Sequence, residues 1–402
     1  MKNPRTNQME FFIARALPFG AAASVHGFNR AALALNYLLH ENVGAPCTHY
    51  FDDYTLIVPE SIGEAADQLT GDFLKELGWD VKREKDKPVS PVFTALGVDF
   101  DLTDSLRQSD PKIIVRNKVT RIEEICQDID SYFETGSMTP SRATTLRGRL
   151  VFSNSQTYGR KGALAYYHLG LIANMPGNPW IPLGTKLRWS LQWWKEQVAG
   201  CKPRTIRTGQ QRSPLYLFTD GSCDPDETSP TGIKAAYRAA LYDPEDSTLE
   251  TFGKNIGPEL LRILSDHGAK QQIVGQSELL PCHAAQTIWK ERLHNRRIVL
   301  YVDNEAARFG LIKGTSPTLD SAWLINEYWT AEAENETTTW IDRVPSASNC
   351  ADGPSRGRFD ILTGTPLTIR QIEAPAPYEK NLVEQWHQRE PGFPPLSRCE
   401  RP

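Results

Sequence analysis

Several features that define other protein classes are missing from this sequence. None of its apolar runs approaches the roughly 18 residues that a membrane-spanning helix needs, so we expect no membrane segment. Lys2 and Arg5 lie near the N-terminus, but Arg15 interrupts the next apolar stretch and no small-residue cleavage site follows, which argues against a signal peptide. We therefore expect an intracellular protein, in the cytoplasm or nucleus, that is not secreted.

Cysteine patterns and repeats are also missing. The chain of 402 residues has seven cysteines, an odd number, and no CxxC pair. This pattern argues against a disulfide framework or a zinc ribbon and favours a reducing compartment. There is no internal repeat or low-complexity tract, and the length suits two or three domains of ordinary size.

Charge is unevenly distributed, although the net charge is only −4. Residues 135–219 contain twelve Lys or Arg residues and a single acid, Glu196, and they also contain many aromatic residues. Cations that neutralise phosphates, interleaved with rings on which bases stack, predict a nucleic-acid-binding groove. The alternative is a solvated basic face over an aromatic core. The residues that we expect to bind nucleic acid here are Arg147, Arg149, Arg160 and Lys161.

The second half of the chain reads as an α/β segment with four acids at regular positions. Strand-forming residues lead into Asp220 and into Asp303, Glu278 lies in a predicted first helical turn with Ser277 as N-cap, and Asp352 opens the last turn or helix. Any one of these acids could be a turn or cap residue. Their order, on three antiparallel strands, a helix, a fourth strand and further helices, makes a shared site the better interpretation.

This arrangement resembles the ribonuclease H family. The resemblance covers about residues 213–358, and the motifs that carry it are Thr219–Ser222, Ser277–Leu280, Tyr301–Asn304 and Asn349–Asp352. The stretch Val344–Arg356 is most similar to the ribonuclease H domains of DIRS-like retrotransposons. The resemblance implies a mixed five-stranded sheet with helices, and an endonuclease that cleaves the RNA strand of RNA–DNA hybrids.

The predicted chemistry explains why acids are needed. Hydrolysis of a phosphodiester with two divalent ions requires several oxygen ligands, because magnesium prefers carboxylate and water oxygens. The resemblance makes Asp220, Glu278, Asp303 and Asp352 the catalytic residues and the ligands of two Mg²⁺ ions, with Mn²⁺ as a possible substitute.

Two departures from the family leave alternatives open. Many members have a histidine in the loop before the last aspartate, and residues 343–350 contain none; Arg343 or Ser346 is a candidate replacement. Integrase-type nucleases share the scaffold but use a different third acid, for which the candidates are Glu332, Glu334 and Glu336.

The first part of the chain resembles a reverse-transcriptase palm. Asp52 and Asp53 lie between two strand-like segments, as in the YxDD signature whose acids bind catalytic magnesium. The neighbouring motifs follow in the family's order. They are Leu17–Arg30, which includes Phe19 and Gly20 and is similar to the motif that contacts template and nucleotide; Leu77–Lys87, with Lys85 or Lys87 as a phosphate-side lysine; and Phe93–Val98, similar to the primer-grip hairpin.

The palm lacks its first acid. Polymerase chemistry in this family also uses an aspartate on an earlier strand, and no aspartate precedes Asp52. We therefore expect no autonomous DNA synthesis. The partners implied are RNA–DNA hybrid or another nucleic acid, and a missing polymerase portion or other retroelement proteins.

The domain organisation expected from these observations has four parts. They are a truncated palm (1–105, α+β), a helical basic thumb or connection (106–210), a ribonuclease H-like domain (211–358) and a proline-rich tail (359–402) that reads as extended or disordered. The alternative to a nuclease is an inactive, decayed or domesticated relic that binds nucleic acid.

Overall fold

The computed structural model divides the chain into two compact units. One comprises Met1–Val115 with Ile206–Thr208, and the other comprises Arg116–Thr205 with Gly209–Pro402. The residues that the structure describes are 5–9, 16–18, 20–44, 46–79, 84, 87–154, 160–200, 203–209, 212–266, 268–270, 272–352, 368–375 and 377–389. Within these ranges, no helix is both long enough and apolar enough to cross a membrane.

The secondary structure of the described residues is mixed. The α-helices are α1 (Ala22–Val43), α2 (Gly63–Glu76), α3 (Val119–Thr135), α4 (Pro140–Ser153), α5 (Ala163–Ala173), α6 (Thr185–Ala199), α7 (Pro258–Leu264), α8 (Val274–Ile288), α9 (Lys290–Leu293), α10 (Glu305–Lys313), α11 (Leu319–Glu334) and α12 (Pro377–Arg389). The strands are β1 (Cys47–Tyr50), β2 (Asp53–Leu56), β3 (Val92–Ala95), β4 (Val98–Asp101), β5 (Lys112–Asn117), β6 (Ser137–Met138), β7 (Ile181–Pro182), β8 (Arg204–Arg207), β9 (Leu215–Pro225), β10 (Ile233–Asp243), β11 (Thr248–Asn255), β12 (Arg297–Val302), β13 (Thr338–Arg343) and β14 (Thr368–Gln371).

The first unit contains two hairpins. Strands β1 and β2 pair antiparallel around Phe51 and Asp52, and Phe51 has a positive φ of 54°. Strands β3 and β4 pair around Leu96 and Gly97, which both have positive φ values of 49° and 73°, as a tight two-residue turn requires. This second hairpin lies at the edge of a four-stranded sheet with the order β3-β4-β5-β8.

The core of the second unit is a six-stranded mixed sheet with the order β13-β12-β9-β10-β11-β14. Strands β9, β10 and β11 form the predicted antiparallel meander, while β12 pairs parallel with both β9 and β13. Leu215 and Leu217 of β9 are fully buried in the main core, as are Leu280 of α8 and Leu324 of α11. The α/β class with a mixed sheet is therefore confirmed.

Local sequence signals placed several helices correctly. Helix α4 begins after Thr139, whose hydroxyl accepts from the Arg142 N–H, and Pro140 is its first residue. Helix α10 begins after Asn304, whose side chain accepts from the Ala307 N–H, and ends before Gly314 in the left-handed conformation.

Two expectations about the elements were wrong. The sheet has six strands instead of five, because β14 pairs parallel with β11. The segment 359–402 is not simply an extended tail, since it supplies both β14 and the helix α12. The expectation that the segment 106–210 is mainly helical is confirmed by α3, α4, α5 and α6, while β5 pairs in the sheet β3-β4-β5-β8.

Candidate metal centre

Two neighbouring strands bring the first pair of acids together. Asp220 lies in β9, and Asp303 directly follows the last residue of β12. The two strands are parallel, with Val302 opposite Thr219, so the next residue of each strand carries an acid at the same level of the sheet. These two aspartates therefore lie on neighbouring central strands of the sheet.

The third acid, Glu278, comes from helix α8 where it crosses β9. At Gly221 a Cβ atom would lie 2.3 Å from the carbonyl carbon of Ser277 and 2.5 Å from the Glu278 nitrogen, so only glycine lets the strand approach the helix this closely. The expectation that Ser277 is an N-cap was wrong. The helix begins at Val274, and the Ser277 hydroxyl donates to the Val274 carbonyl.

The three carboxylates converge. Each of Asp220, Glu278 and Asp303 offers one oxygen, and these oxygens all lie within 4.8 Å of one another. Asp220 and Glu278 are buried, with 5% and 4% of their surface exposed. Burial, and then the charges of Asp303 and Asp220, raise the pKa of Glu278 to about 9, while the Gly221 N–H, which donates to its carboxylate, opposes that rise.

The donor set fits a divalent cation. Glu278 Oε2 and Asp303 Oδ1 are buried and have no hydrogen-bond partner among the described residues. Buried carboxylate oxygens without a donor are costly, and like charges this close repel each other. A cation with a preference for oxygen, such as Mg²⁺, would satisfy both requirements.

The fourth predicted acid is not part of this group. Asp352 is absent from the carboxylates of the described chain that lie within 4.8 Å of one another. Asn349 holds the turn before it, since its side chain donates to the Thr219 carbonyl at 2.9 Å and accepts from the Ala351 N–H at 3.1 Å.

The alternative third acids lie elsewhere. Glu332 of α11 is buried, its carboxylate accepts from the Thr339 N–H at 3.3 Å, and burial raises its pKa to about 7. Neither Glu332, Glu334 nor Glu336 joins the carboxylate group within the described chain. The structure therefore does not favour the integrase-type alternative.

The two candidates for the missing loop histidine occupy different surroundings. Arg343 Nε lies 3.1 Å from Glu305 Oε1, at the start of the helix that follows Asp303. Ser346 lies in a short 3-10 helix, Ser346–Ser348. Which of them, if either, replaces the histidine stays a prediction.

The two acids that the sequence likens to the YxDD signature lie at a hairpin, as predicted, but no third acid of the described residues joins them. Asp52 and Asp53 are both exposed, and in the part of the chain that the structure describes they belong to no group of three potential metal ligands. Gly20 is exposed, with φ 84°, just before α1. Phe19 and Lys85 lie outside the described residues, and Lys87 is exposed.

The binding role of the predicted basic groove stays a prediction. Arg149 forms an ion pair with Asp128, and the Arg160 guanidinium lies over the Trp329 ring at 5.1 Å, so both have partners within the protein. Arg147 and Lys161 are partly buried. Several aromatic residues of the segment form a core instead of a stacking surface, among them Tyr166 and Trp194.

The sequence analysis missed three residues of this site. They are Gly221, Asn349 and Arg238, and Arg238 of β10 lies directly opposite Asp220 in the pairing of β9 with β10. The position of Gly221 directly after Asp220 was the sequence signal that could have identified it. Asn349 opens the motif Asn349–Asp352, but its bond to Thr219 and the position of Arg238 are not visible in the sequence, because they depend on long-range hydrogen bonds and strand pairing.

Comparisons with known proteins identify structural neighbours only. No protein-family model matches the chain, and no curated protein matches it. RNase H1 from the halophilic archaeon Halobacterium salinarum is a neighbour with 18% identity and a TM-score of 0.27, over 35% of this chain and 93% of that chain.

Two further neighbours are foamy viral protease–reverse transcriptase structures. The one in complex with double-stranded DNA has 16% identity and a TM-score of 0.36, over 78% of this chain and 48% of that chain. The one in complex with RNA/DNA hybrid has 11% identity and a TM-score of 0.33, over 85% of this chain and 61% of that chain. At identities and TM-scores this low a likeness carries no argument about function, which must come from the residues themselves.

Proposed function

We propose that the second unit is a nuclease that hydrolyses the RNA strand of RNA–DNA hybrids with divalent ions held by Asp220, Glu278 and Asp303. The observation that carries the proposal is the convergence of these three carboxylates within 4.8 Å, two of them buried. Carboxylates this close are stable together only when protonated or bound to a cation. Asp352 is proposed as a further ligand on the resemblance of its motif alone.

The chain's own residues would hold the reacting groups in place. Asp220 and Asp303 are fixed by the central strands, and Glu278 is fixed by a buried helix and by the Gly221 N–H. Two Mg²⁺ ions, with Mn²⁺ as a substitute, would lower the pKa of the attacking water and offset the charge that develops on the phosphate. A site held by regular elements loses little to reorganisation when substrate binds.

The substrate class and the origin are the finer parts of the proposal. Selection of RNA–DNA hybrid would depend on duplex shape and on the 2′-hydroxyl instead of base sequence. A retroelement origin of the DIRS-like type is supported by the motif in residues 344–356.

The test is cleavage of a labelled RNA–DNA hybrid by the full chain, with and without Mg²⁺. We expect metal-dependent cutting of the RNA strand and a loss of at least 100-fold in the Asp303→Asn variant, since removing a group that stabilises the transition state costs about this much. Asp224→Asn is the matched control, because Asp224 is an exposed acid on the same strand as Asp220.

Three outcomes would count against the proposal. Equal cutting by the Asp303→Asn chain would assign the activity to another site or to a contaminant. Hybrid binding that is indifferent to Mg²⁺, without any cutting by the folded chain, would favour the inactive relic. Cutting of RNA and DNA duplexes at the same rate as the hybrid would refute the substrate class.

A further inference from the structure

Arg238 shares a sheet face with the carboxylate group. In the antiparallel pairing of β10 with β9, Arg238 lies opposite Asp220. Residues directly opposite each other in neighbouring strands project to the same face of a sheet. A cationic side chain thus starts one strand away from the candidate metal centre, on the same face.

The neighbouring strand leaves room for this side chain. Arg238 also lies opposite Gly253 of β11. A Cβ atom at Gly253 would be 2.3 Å from Arg238 Nη1 and 2.8 Å from its Cγ. The arginine therefore lies across the glycine, and any larger residue there would displace the guanidinium.

Asp220 supplies the negative charge that acts on Arg238, but no hydrogen bond or ion pair of the described residues satisfies the buried Nε of this guanidinium. Arg292, on the helical side of the same unit, instead pairs with Glu250 at 2.6 Å and with Asp243 at 3.4 Å. Burial lowers the pKa of Arg238, and the charge of Asp220 opposes that change. A partly buried guanidinium that makes no ion pair is costly unless an anion from outside binds it.

We propose that Arg238 binds a backbone phosphate of the nucleic-acid strand whose neighbouring phosphodiester lies at Asp220, Glu278 and Asp303. The guanidinium offers a planar set of N–H donors that matches a phosphate, and its place beside the carboxylates suits the same strand. This inference rests on the proposed function for the position of the strand. It adds a contact that selects a charged backbone next to the reacting group.

The first test measures binding without cleavage. In the full chain carrying Asp303→Asn, adding Arg238→Gln should weaken binding of an RNA–DNA hybrid about tenfold at moderate salt, as expected for one lost charged hydrogen-bond pair. The slope of log affinity against log salt should fall by about 1, the value for one phosphate contact. Lys234→Gln removes the same charge from the same strand at an exposed position and should leave both quantities within twofold.

The second test locates the phosphate. A set of hybrids carries a single uncharged methylphosphonate at successive positions along the RNA or the DNA strand. Those in which it replaces a phosphate that the protein contacts should bind the Asp303→Asn chain less well. At one position close to the scissile bond, the loss should disappear in the Arg238→Gln chain. Gly253→Ala keeps the charge of Arg238 but displaces its guanidinium, so it should abolish the same position-specific sensitivity. The thermal unfolding midpoint of the Arg238→Gln chain is a separate check that this variant folds.

The outcomes separate this inference from the proposed function. Suppose that the hybrid is cut normally and that each methylphosphonate weakens binding equally in chains with and without the Arg238→Gln change. The phosphate contact is then refuted and the nuclease stands. If no hybrid is cut but the position-specific effect of Arg238 persists, the contact stands and the nuclease is refuted. If neither Arg238→Gln nor Gly253→Ala changes the binding affinity or its salt dependence, the contact is refuted whatever the cleavage result.

Discussion

At the scale of single residues, the candidate site depends on Gly221 as much as on its acids. The backbone of this glycine passes so close to Ser277 and Glu278 that a side chain has no space. Its N–H also donates to the Glu278 carboxylate. The glycine therefore sets both the distance between β9 and α8 and the orientation of the third ligand.

We predict that Gly221→Ala destabilises the second unit and weakens its affinity for metal. The new Cβ must push α8 away, at a cost of about 1–3 kcal/mol typical of overpacking, and Glu278 moves with the helix. Denaturant unfolding measures the first effect, and the rise in unfolding midpoint with added Mg²⁺ measures the second. The control is Gly275→Ala on the same helix, where a Cβ meets nothing within 4 Å. A metal-induced shift as large in Gly221→Ala as in the unchanged chain would contradict the prediction.

His168 gives a prediction about pH. It is buried in the helical part of the second unit, where its Nδ1 lies 2.8 Å from the Ser190 hydroxyl. Burial, with a smaller contribution from Lys186, lowers the pKa of His168 to about 4 from 6.5. Because the unfolded chain binds the proton more tightly, this histidine contributes stability that is present above pH 6.5 and is lost as the pH falls through about 4.

The measurable consequence is a drop in unfolding free energy of about 3 kcal/mol between pH 6.5 and 4 that is due to His168. His168→Gln should remove this part of the pH dependence, although it costs some stability at neutral pH. Denaturant titrations across this range provide the test. His294→Gln, at an exposed position, should change the profile little. If the unfolding free energy depends on pH identically with and without His168, the imidazole of His168 is solvated in the folded protein.

At the scale of elements, the C-terminal strand and helix belong to the second unit. Strand β14 extends the sheet beyond β11, and α12 buries Leu382 and Val383 in the main core. On α12, Glu379 accepts from the Tyr237 hydroxyl at 3.1 Å and from the Gly257 N–H at 2.7 Å. Beside it, the Tyr378 hydroxyl lies 2.9 Å from His283 Nδ1 of α8. A fragment that ends at residue 358 would lose these contacts.

We predict that Glu379→Ala lowers the unfolding free energy by about 2–4 kcal/mol, because it leaves a buried hydroxyl and a buried N–H without their acceptor. Glu384→Ala removes an exposed acid of the same helix and should change stability by less than about 0.5 kcal/mol. Denaturant unfolding of both variants, with hybrid cleavage as a second readout, tests the docking of α12. Equal stability of the two variants would mean that α12 does not dock on this core.

At the scale of the whole molecule, the two units differ in how many of their carboxylates converge. The second has three convergent acids, whereas the acids of the β1–β2 hairpin in the first are exposed and join no third carboxylate in the described ranges. Nucleotide transfer with two ions needs several ligands around both of them. The prediction of no autonomous polymerase follows from the same physical reasoning as the proposal of a nuclease.

The measurement is extension of a labelled primer on an RNA or DNA template by the full chain, with Mg²⁺ or Mn²⁺. We expect no extension of the primer. Hybrid cleavage is assayed in the same preparation and buffer, so that a lack of extension cannot be explained by inactive protein. Extension that disappears in an Asp52→Asn variant would contradict the prediction and show that the hairpin acids find another ligand.

The sequence by itself determined the local elements and the order of the acids. Continuous runs of strand-forming residues that lead into Asp220 and Asp303 define strands, and Asn304 with Gly314 defines the ends of α10, because these signals depend only on neighbours along the chain. The two hairpins of the first unit were predictable for the same reason. The α/β class followed from the order of these elements.

Only the tertiary structure decided which acids meet and what surrounds them. Asp352 follows a turn whose position is set by the bond from Asn349 to β9, and the pairing of β14 with β11 depends on contacts between residues more than a hundred positions apart. Arg238 acquires its place opposite Asp220 and across Gly253 through strand register alone. Burial, which turns three ordinary acids into a candidate metal centre, arises when distant segments exclude water together, and no local pattern encodes it.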